Sequence, residues 1–144
     1  MCIRDRAYTG VEGLTLKYAT MDENTGTTGT SGDQTAWRAA YVVGPVTLTA
    51  TNNDYDMGTA TNDKETSSYN VSYSLTDELS IQYGTEEIDV GSSATDAEYS
   101  AIVASYTAGG MTITAKMEEA ENVAGGTASS EDVEYWFLGA AFAF

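Results

Sequence analysis

A repeat of about 32 residues is the feature of this 144-residue sequence that most limits its fold. Four segments share the pattern apolar, hydroxyl, apolar, and their first residues lie 32, 33 and 32 positions apart: residues 14–16, 46–48, 79–81 and 111–113. Each segment follows a short turn signal, such as Gly44-Pro45, and short connections between β-rich runs are typical of hairpins. The sequence therefore predicts a regular series of antiparallel hairpins.

Apolar and polar residues alternate with a period of two between the turns. Tyr69, Val71 and Tyr73, for example, are separated by Asn70 and Ser72. This alternation is typical of strands with one apolar and one polar face. We predict eight strands, at residues 14–21, 34–43, 46–53, 67–75, 79–86, 97–106, 111–118 and 133–144. Residues 7–10 are interpreted as the remainder of an earlier strand, because they repeat the pattern that precedes the turn before residue 111.

Long connections alternate with the short turns along the whole chain. The long ones, at residues 22–33, 53–65, 86–96 and 118–132, are polar and rich in glycine. They and the adjoining strand ends hold 18 of the 22 acidic residues, so the negative charge is predicted to lie at one end of the sheet. In outer-membrane barrels, short turns face the periplasm and long loops face outside.

The composition excludes several classes of function. A net charge of −16 would repel a nucleic-acid backbone. The chain has no histidine and one cysteine, which removes most zinc, haem, iron–sulfur and Ser-His or Cys-His designs. Residues 54–58 resemble a calcium loop only faintly, because its later ligands are missing. No carboxylate has a base or nucleophile beside it in the sequence, so no enzymatic activity, metal or cofactor is predicted.

The sequence contains no apolar run of the roughly 20 residues that a membrane-spanning helix requires. Its longest apolar run has ten residues, 135–144. A strand of a β-barrel crosses a membrane with roughly 9–11 residues, of which half are polar, so the sequence is compatible with a barrel. Residues 1–6 are interpreted as a non-native junction without a fold role, and Cys2 is assigned no function.

The end of the chain places an apolar residue at every second position. Trp136, Leu138, Phe142 and Phe144 carry this pattern, which resembles the C-terminal assembly signal of outer-membrane β-barrels. With the hairpin spacing and the acidic loops, residues 7–144 resemble a general diffusion porin of the alphaproteobacterial type. The resemblance implies an all-β, antiparallel up-and-down transmembrane barrel of about 16 strands, of which this chain supplies about eight.

The same resemblance implies a water-filled channel in the outer membrane of a Gram-negative bacterium, for passive diffusion of small hydrophilic solutes and ions. It also implies a homotrimer when full length. Dense carboxylates repel one another unless cations neutralise them, so contact with lipopolysaccharide through divalent cations is expected. Two alternatives remain open. One is a complete eight-stranded outer-membrane protein with an adhesive or structural role and no pore, and the other is a soluble acidic β-sandwich module of a secreted protein.

Pairing across the short turns predicts which residues share a face. We expect Val43 to lie opposite Val46, Leu75 opposite Leu79, and Tyr106 opposite Met111, all on the lipid side. The opposite side is then rich in hydroxyl, amide and basic groups, and its predicted pore-lining residues are Lys17, Arg38, Lys116, Thr49, Ser72, Gln82 and Thr114. The basic residues are interpreted either as groups that act on passing ions or as groups that merely solvate the wall.

Aromatic residues are expected at both borders of the lipid side, where an amphipathic ring suits the headgroup zone. Those predicted near the loops are Trp37, Tyr69, Trp136 and Tyr18, and those near the turns are Tyr73, Tyr106, Phe142 and Phe144. In a soluble sheet the same residues would form an ordinary core.

Overall fold

The structure, a computed structural model, describes residues 2–24, 31–56, 63–91, 95–123 and 132–143. These residues form nine antiparallel strands in one sheet, in the spatial order of the sequence. The strands are β1 (Cys2–Val11), β2 (Leu14–Asn24), β3 (Ser31–Val43), β4 (Val46–Asp56), β5 (Lys64–Ser74), β6 (Leu79–Val90), β7 (Ala97–Ala108), β8 (Met111–Glu121) and β9 (Val133–Phe142). Each strand pairs with its sequence neighbours, as in an up-and-down barrel wall.

All eight predicted strands are present, and most run further towards the long loops than expected. β2 reaches Asn24 and β6 reaches Val90, so several carboxylates assigned to loops lie within strands. The remainder predicted at residues 7–10 belongs to β1, which begins at Cys2. Residues 2–6 thus join the sheet edge. Pairing there uses backbone groups and is largely independent of side-chain identity.

The two-residue turns set the register of their hairpins. Val43 pairs with Val46 across Gly44-Pro45, as expected. At the turn before β8, however, Ala108 pairs with Met111, and Tyr106 pairs with Ile113 rather than with Met111. The expected pairing was wrong by two residues because Gly109 and Gly110 both adopt positive φ, 58° and 80°, which closes the hairpin in a two-residue turn. A shift of two residues leaves every side chain on its expected face.

The turn between β5 and β6 is held by the hydroxyl of Thr76. Its Oγ1 accepts hydrogen bonds from the backbone N–H groups of Glu78, at 3.2 Å, and Leu79, at 3.0 Å. The N–H of Leu75 donates to the carbonyl oxygen of Leu79 at 2.9 Å, which confirms that these two leucines face each other. The short side-chain cap explains why the predicted turn at residues 76–78 needs no glycine.

The strands are staggered as in a tilted barrel. One row of directly paired residues begins at Leu14, the first residue of β2, and reaches Met117, the seventh residue of β8. The row therefore climbs six residues in six strand-to-strand steps. At about 3.3 Å per residue and about 4.8 Å between strands, this stagger corresponds to a tilt of about 35°, within the range of β-barrels.

The sheet is a single layer without a core. None of the described residues is a buried hydrophobic residue. The accessible surface is 9946 Å², whereas a water-soluble monomer of this mass exposes about 7,100 Å². The β-sandwich alternative is therefore wrong, because a sandwich requires a second sheet over the apolar face. A closed eight-stranded barrel is not what the strands form either, since β1 and β9 are the two edges of an open sheet. Within the described ranges, no helix is long and apolar enough to cross a membrane.

Candidate solute-conducting face

The register sorts the side chains of the sheet into two faces of opposite character. The face that carries Val43, Val46 and Tyr73 is called the apolar face here, and its reverse is called the polar face. One row of paired residues crosses eight strands of the apolar face with no polar side chain except tyrosine hydroxyls: Leu14, Tyr41, Leu48, Val71, Tyr83, Ile102, Met117 and Trp136. A protein of low overall hydropathy thus concentrates most of its large apolar side chains on one surface, although a few, such as Val103 and Phe137, lie on the polar face.

Aromatic residues lie near both borders of the apolar face. Towards the turns, Tyr41, Tyr73 and Tyr106 occupy equivalent positions close to the ends of their strands. Towards the loops, Trp37 lies six residues from Val43, a separation of roughly 16 Å along the barrel axis at this tilt. The aromatic side chains extend beyond these two positions at each border. The height of the apolar face therefore approaches the roughly 25 Å of the apolar band in outer-membrane barrels.

All seven predicted pore-lining residues lie on the polar face. Ser72 pairs with Gln82, and the same row continues through Val103 to Lys116. The turn end of this face is rich in hydroxyl groups. Those of Thr107 and Thr112 are hydrogen-bonded to each other at 3.0 Å. Such a surface offers donors and acceptors to water along its whole length.

The basic residues of the polar face have different surroundings. Lys116 forms an ion pair with Glu118, two residues further along β8. Lys17 and Arg38, in contrast, lie directly opposite each other on β2 and β3. No acidic side chain of the described residues forms an ion pair with either of them. Two like charges at directly paired positions repel, and on the described part of the polar face this pair is a locally positive point.

The C-terminal strand presents its predicted signal residues on the apolar face. Trp136 pairs with Met117, Leu138 with Ala115, and Phe142 with Met111. Trp136, Leu138 and Phe142 are 73%, 67% and 60% exposed, which is extreme for residues of this size. Phe144 lies outside the described residues.

Sequence reasoning missed an arrangement of paired carboxylates at the loop end of the apolar face. Eleven acidic residues lie in four directly paired rows there: Asp22, Asp33 and Asp56; Asp54, Glu65 and Asp89; Glu87, Glu98 and Glu121; Glu119 and Glu134. Their period-two spacing along the chain was visible, but the assignment of nine of the eleven to long connections hid it. Like charges at opposed positions destabilise a sheet unless counter-ions screen them.

Sequence reasoning also missed a recess on the polar face between β5 and β9. Its volume is about 600 Å³, and Tyr99, Tyr135, Glu86 and Glu118 contribute to its lining. The register places all four residues on the polar face, and their proximity depends on the alignment of β6, β7, β8 and β9. Asp54 and Asp56 of the weak calcium-loop pattern belong to β4, and its residues 57 and 58 lie outside the described residues. Within the described part, no three potential ligands lie close enough to hold a metal ion.

Comparisons with known proteins agree with this geometry. No family model matches the chain, and no curated protein matches it. A solved structure described as "Structure of porin refined at 1.8 angstroms resolution" superposes with a TM-score of 0.70 at 17% sequence identity. The match covers 96% of this chain and 50% of that porin chain.

The chain has the fold of half a porin barrel. The likeness extends over nearly the whole chain, so β1 to β9 correspond to a continuous stretch of barrel wall rather than to an isolated hairpin. At this identity the likeness concerns the fold alone, and the faces described above come from the residues of this chain.

Proposed function

We propose that this chain is part of the wall of a water-filled outer-membrane channel through which small hydrophilic solutes and ions diffuse passively. The observation that carries the proposal is the two-faced single layer. Among the residues that the structure describes, no second layer covers its apolar face, and its polar face is rich in hydroxyl, amide and charged groups. Lipid on one side and water on the other satisfy both faces at once.

The proposal extends to the whole protein. Since the chain spans half the length of the porin chain that it resembles, we propose that it supplies the C-terminal half of a barrel of about 16 strands. The missing strands would pair with the open edges at β1 and β9. We further propose the alphaproteobacterial general diffusion type, a homotrimer, and the outer membrane of a Gram-negative bacterium. The assembly role of Trp136, Leu138, Phe142 and Phe144 belongs to the same proposal.

We also propose that the outer leaflet contacts the loop end of the apolar face. The paired carboxylate rows lie just beyond the loop-side aromatic residues, at the level where the phosphate groups of lipopolysaccharide would lie. Divalent cations would then bridge anions of the lipid to these rows. The association would be diffuse, because the described residues provide no ready-made metal site.

Tryptophan quenching tests the assignment of the faces in the full-length protein, in which any tryptophan outside this chain is replaced by phenylalanine. In lipid vesicles, a Trp37→Phe variant retains Trp136 on the apolar face as its single tryptophan. A matched variant with Trp37→Phe, Trp136→Phe and Tyr135→Trp places the single tryptophan one residue away on the polar face. We expect brominated acyl chains to quench the first fluorophore strongly and iodide in the water phase to quench the second. Equal quenching of both by brominated lipid would contradict the proposal.

Channel function is tested by recordings from planar bilayers that contain the full-length protein. We expect stepwise conductance increases that scale with bulk conductivity, together with swelling of proteoliposomes in small sugars. A membrane-inserted protein with no conductance would contradict the proposed channel.

A further inference from the structure

The recess on the polar face contains two matching pairs, each made of a carboxylate and a phenol. Glu86 on β6 lies directly opposite Tyr99 on β7, and Glu118 on β8 lies directly opposite Tyr135 on β9. Opposed side chains of neighbouring strands have Cβ atoms about 5 Å apart, so in each pair a carboxylate lies beside an aromatic ring. A carboxylate and an aromatic face attract the same kind of ligand, a cation.

One of these pairs already holds a cation. The ammonium group of Lys116 forms an ion pair with the carboxylate of Glu118. The second pair has no equivalent, because no basic side chain of the described residues forms an ion pair with Glu86. Its carboxylate instead accepts a hydrogen bond from the hydroxyl of Ser68, at 2.9 Å, which leaves the other carboxylate oxygen available. The ion pair of Glu118 therefore shows that a carboxylate of this recess can bind an ammonium group.

The space beside the open pair is made by small residues. Gly84 and Ala101 are directly paired and follow Glu86 and Tyr99 towards the turns, so they form the floor of the recess. The side-chain amide of Asn70 lies at the edge of this floor. Its Nδ2 is 2.9 Å from the position that a Cβ on Gly84 would occupy. The recess remains open to the solvent side of the polar face and could admit an alkyl chain of a few atoms.

The ligands that the recess provides limit the chemical class of what it can bind. Glu86 and Glu118 lie two strands and one row apart, which is about 12 Å between their Cα atoms. Within the part of the chain that the structure describes, no three potential ligands lie close enough to hold a metal ion, so the recess does not fit Ca²⁺ or Mg²⁺. An anion would be repelled. We propose that Glu86 and Tyr99 form a binding subsite for the ammonium group of a small organic cation.

The subsite requires only the fold of the polar face, whereas its role in solute passage rests on the proposed channel function. In that role the wall would bind amine-bearing solutes transiently. The subsite lies several strands away from the positive pair formed by Lys17 and Arg38. The two regions would then favour opposite ends of a zwitterionic solute, the ammonium at Glu86 and the anionic group at the basic pair.

Titration calorimetry of the chain, folded in a nonionic detergent, tests the subsite. The probe is n-butylammonium, which has the atoms of a lysine side chain beyond Cα, and 1-butanol serves as the neutral control. We expect one site for n-butylammonium and none for 1-butanol. Glu86→Gln should weaken binding about tenfold or more, as expected for loss of a hydrogen-bonded charge partner. Tyr99→Leu should weaken it less.

Two further variants make the result decisive. Glu87→Gln removes the same charge from the adjacent residue, which lies on the apolar face, and should retain the affinity of the unmodified chain. Lys116→Gln empties the second pair and should raise the number of n-butylammonium sites from one to two. The proposal is overturned if n-butylammonium does not bind, if Glu86→Gln and Glu87→Gln weaken binding equally, or if Lys116→Gln leaves the number of sites at one. Binding without any effect of n-butylammonium on conductance would support the subsite and contradict its role in solute passage, whereas the absence of any conductance would contradict the channel and leave the subsite intact.

Discussion

Lys17 on β2 and Arg38 on β3 are directly paired on the polar face. A chain with a net charge of −16 thus places two of its six basic residues side by side. Opposite charges are favoured at such positions and like charges are not, so the pair costs some stability. In the proposed channel, such a pair would act on ions that pass along this face.

The first prediction concerns ion selectivity. Replacing Lys17, Arg38 and Lys116 by glutamine in the full-length channel should shift the reversal potential in a salt gradient towards greater cation preference. The shift should be largest at low salt, because the Debye length is about 10 Å at 0.1 M and about 3 Å at 1 M. Lys64→Gln, at the loop end of β5, serves as the control and should have a smaller effect. Unchanged selectivity of the triple variant at low salt would mean that these residues do not line the conducting path.

The second prediction concerns the difference between the two faces. Val71→Lys places a charge in the middle of the apolar face and should destabilise the protein in lipid by about 2–4 kcal/mol. Ser72→Lys, one residue further on, places it on the polar face and should change stability by less than about 1 kcal/mol. Urea unfolding in vesicles, followed by tryptophan fluorescence, measures both variants. Similar losses for the two would indicate that the faces are not separated as lipid and water sides.

The third prediction concerns assembly. Deletion of Phe144, or Phe142→Asp, should reduce the amount of full-length protein in the outer membrane without reducing its synthesis. The reason is that a charge on the apolar face of β9 disrupts the alternation that the resemblance to porins identifies as an insertion signal. Ala141→Asp places the same charge on the polar face and should be tolerated better. Quantitative blots of membrane fractions compare the variants, and normal levels of all three would contradict the prediction.

The fourth prediction concerns two turn glycines that differ in their surroundings. Gly13 and Gly44 both have positive φ, 76° and 55°. A Cβ on Gly13 would lie 2.3 Å from the carbonyl oxygen of Val42, whereas a Cβ on Gly44 would meet nothing within 4 Å. Gly44→Ala should therefore cost about 1–2 kcal/mol for the backbone conformation alone. Gly13→Ala should cost more, because the backbone of β3 must move, and equal urea midpoints for the two variants would refute this account.

Much of the fold could be read from the sequence because its signals are local. Apolar residues at every second position identify a strand and its two faces whatever the strand pairs with. Turn residues such as Gly44-Pro45 identify the hairpins. The eight strands and the face of every predicted pore-lining residue followed from these two signals. The strand ends near the loops were less predictable, because their residues are polar. The residues of β6 beyond Glu86, for example, belong to a strand only because a neighbouring strand supplies their hydrogen bonds.

The relations between strands needed the register. The error at Tyr106 arose because a glycine pair closes a two-residue turn that was expected to be longer. The opposition of Lys17 and Arg38 depends on how β2 and β3 are aligned, as does the pairing of Glu86 with Tyr99 on β6 and β7. No local pattern contains this information, because the residues concerned are 13 to 21 positions apart.

By itself, the sequence determined the class of the fold, the number of predicted hairpins and the chemical character of each face, because these depend on a period of two and on turn residues within a few positions. Only the tertiary structure decided the tilt of the strands, the absence of a second layer among the described residues, and the juxtaposition of charges on each face. Those properties depend on the hydrogen-bond register between strands. A stagger of one residue per strand accumulates across the sheet, so it brings together side chains that are far apart in the sequence.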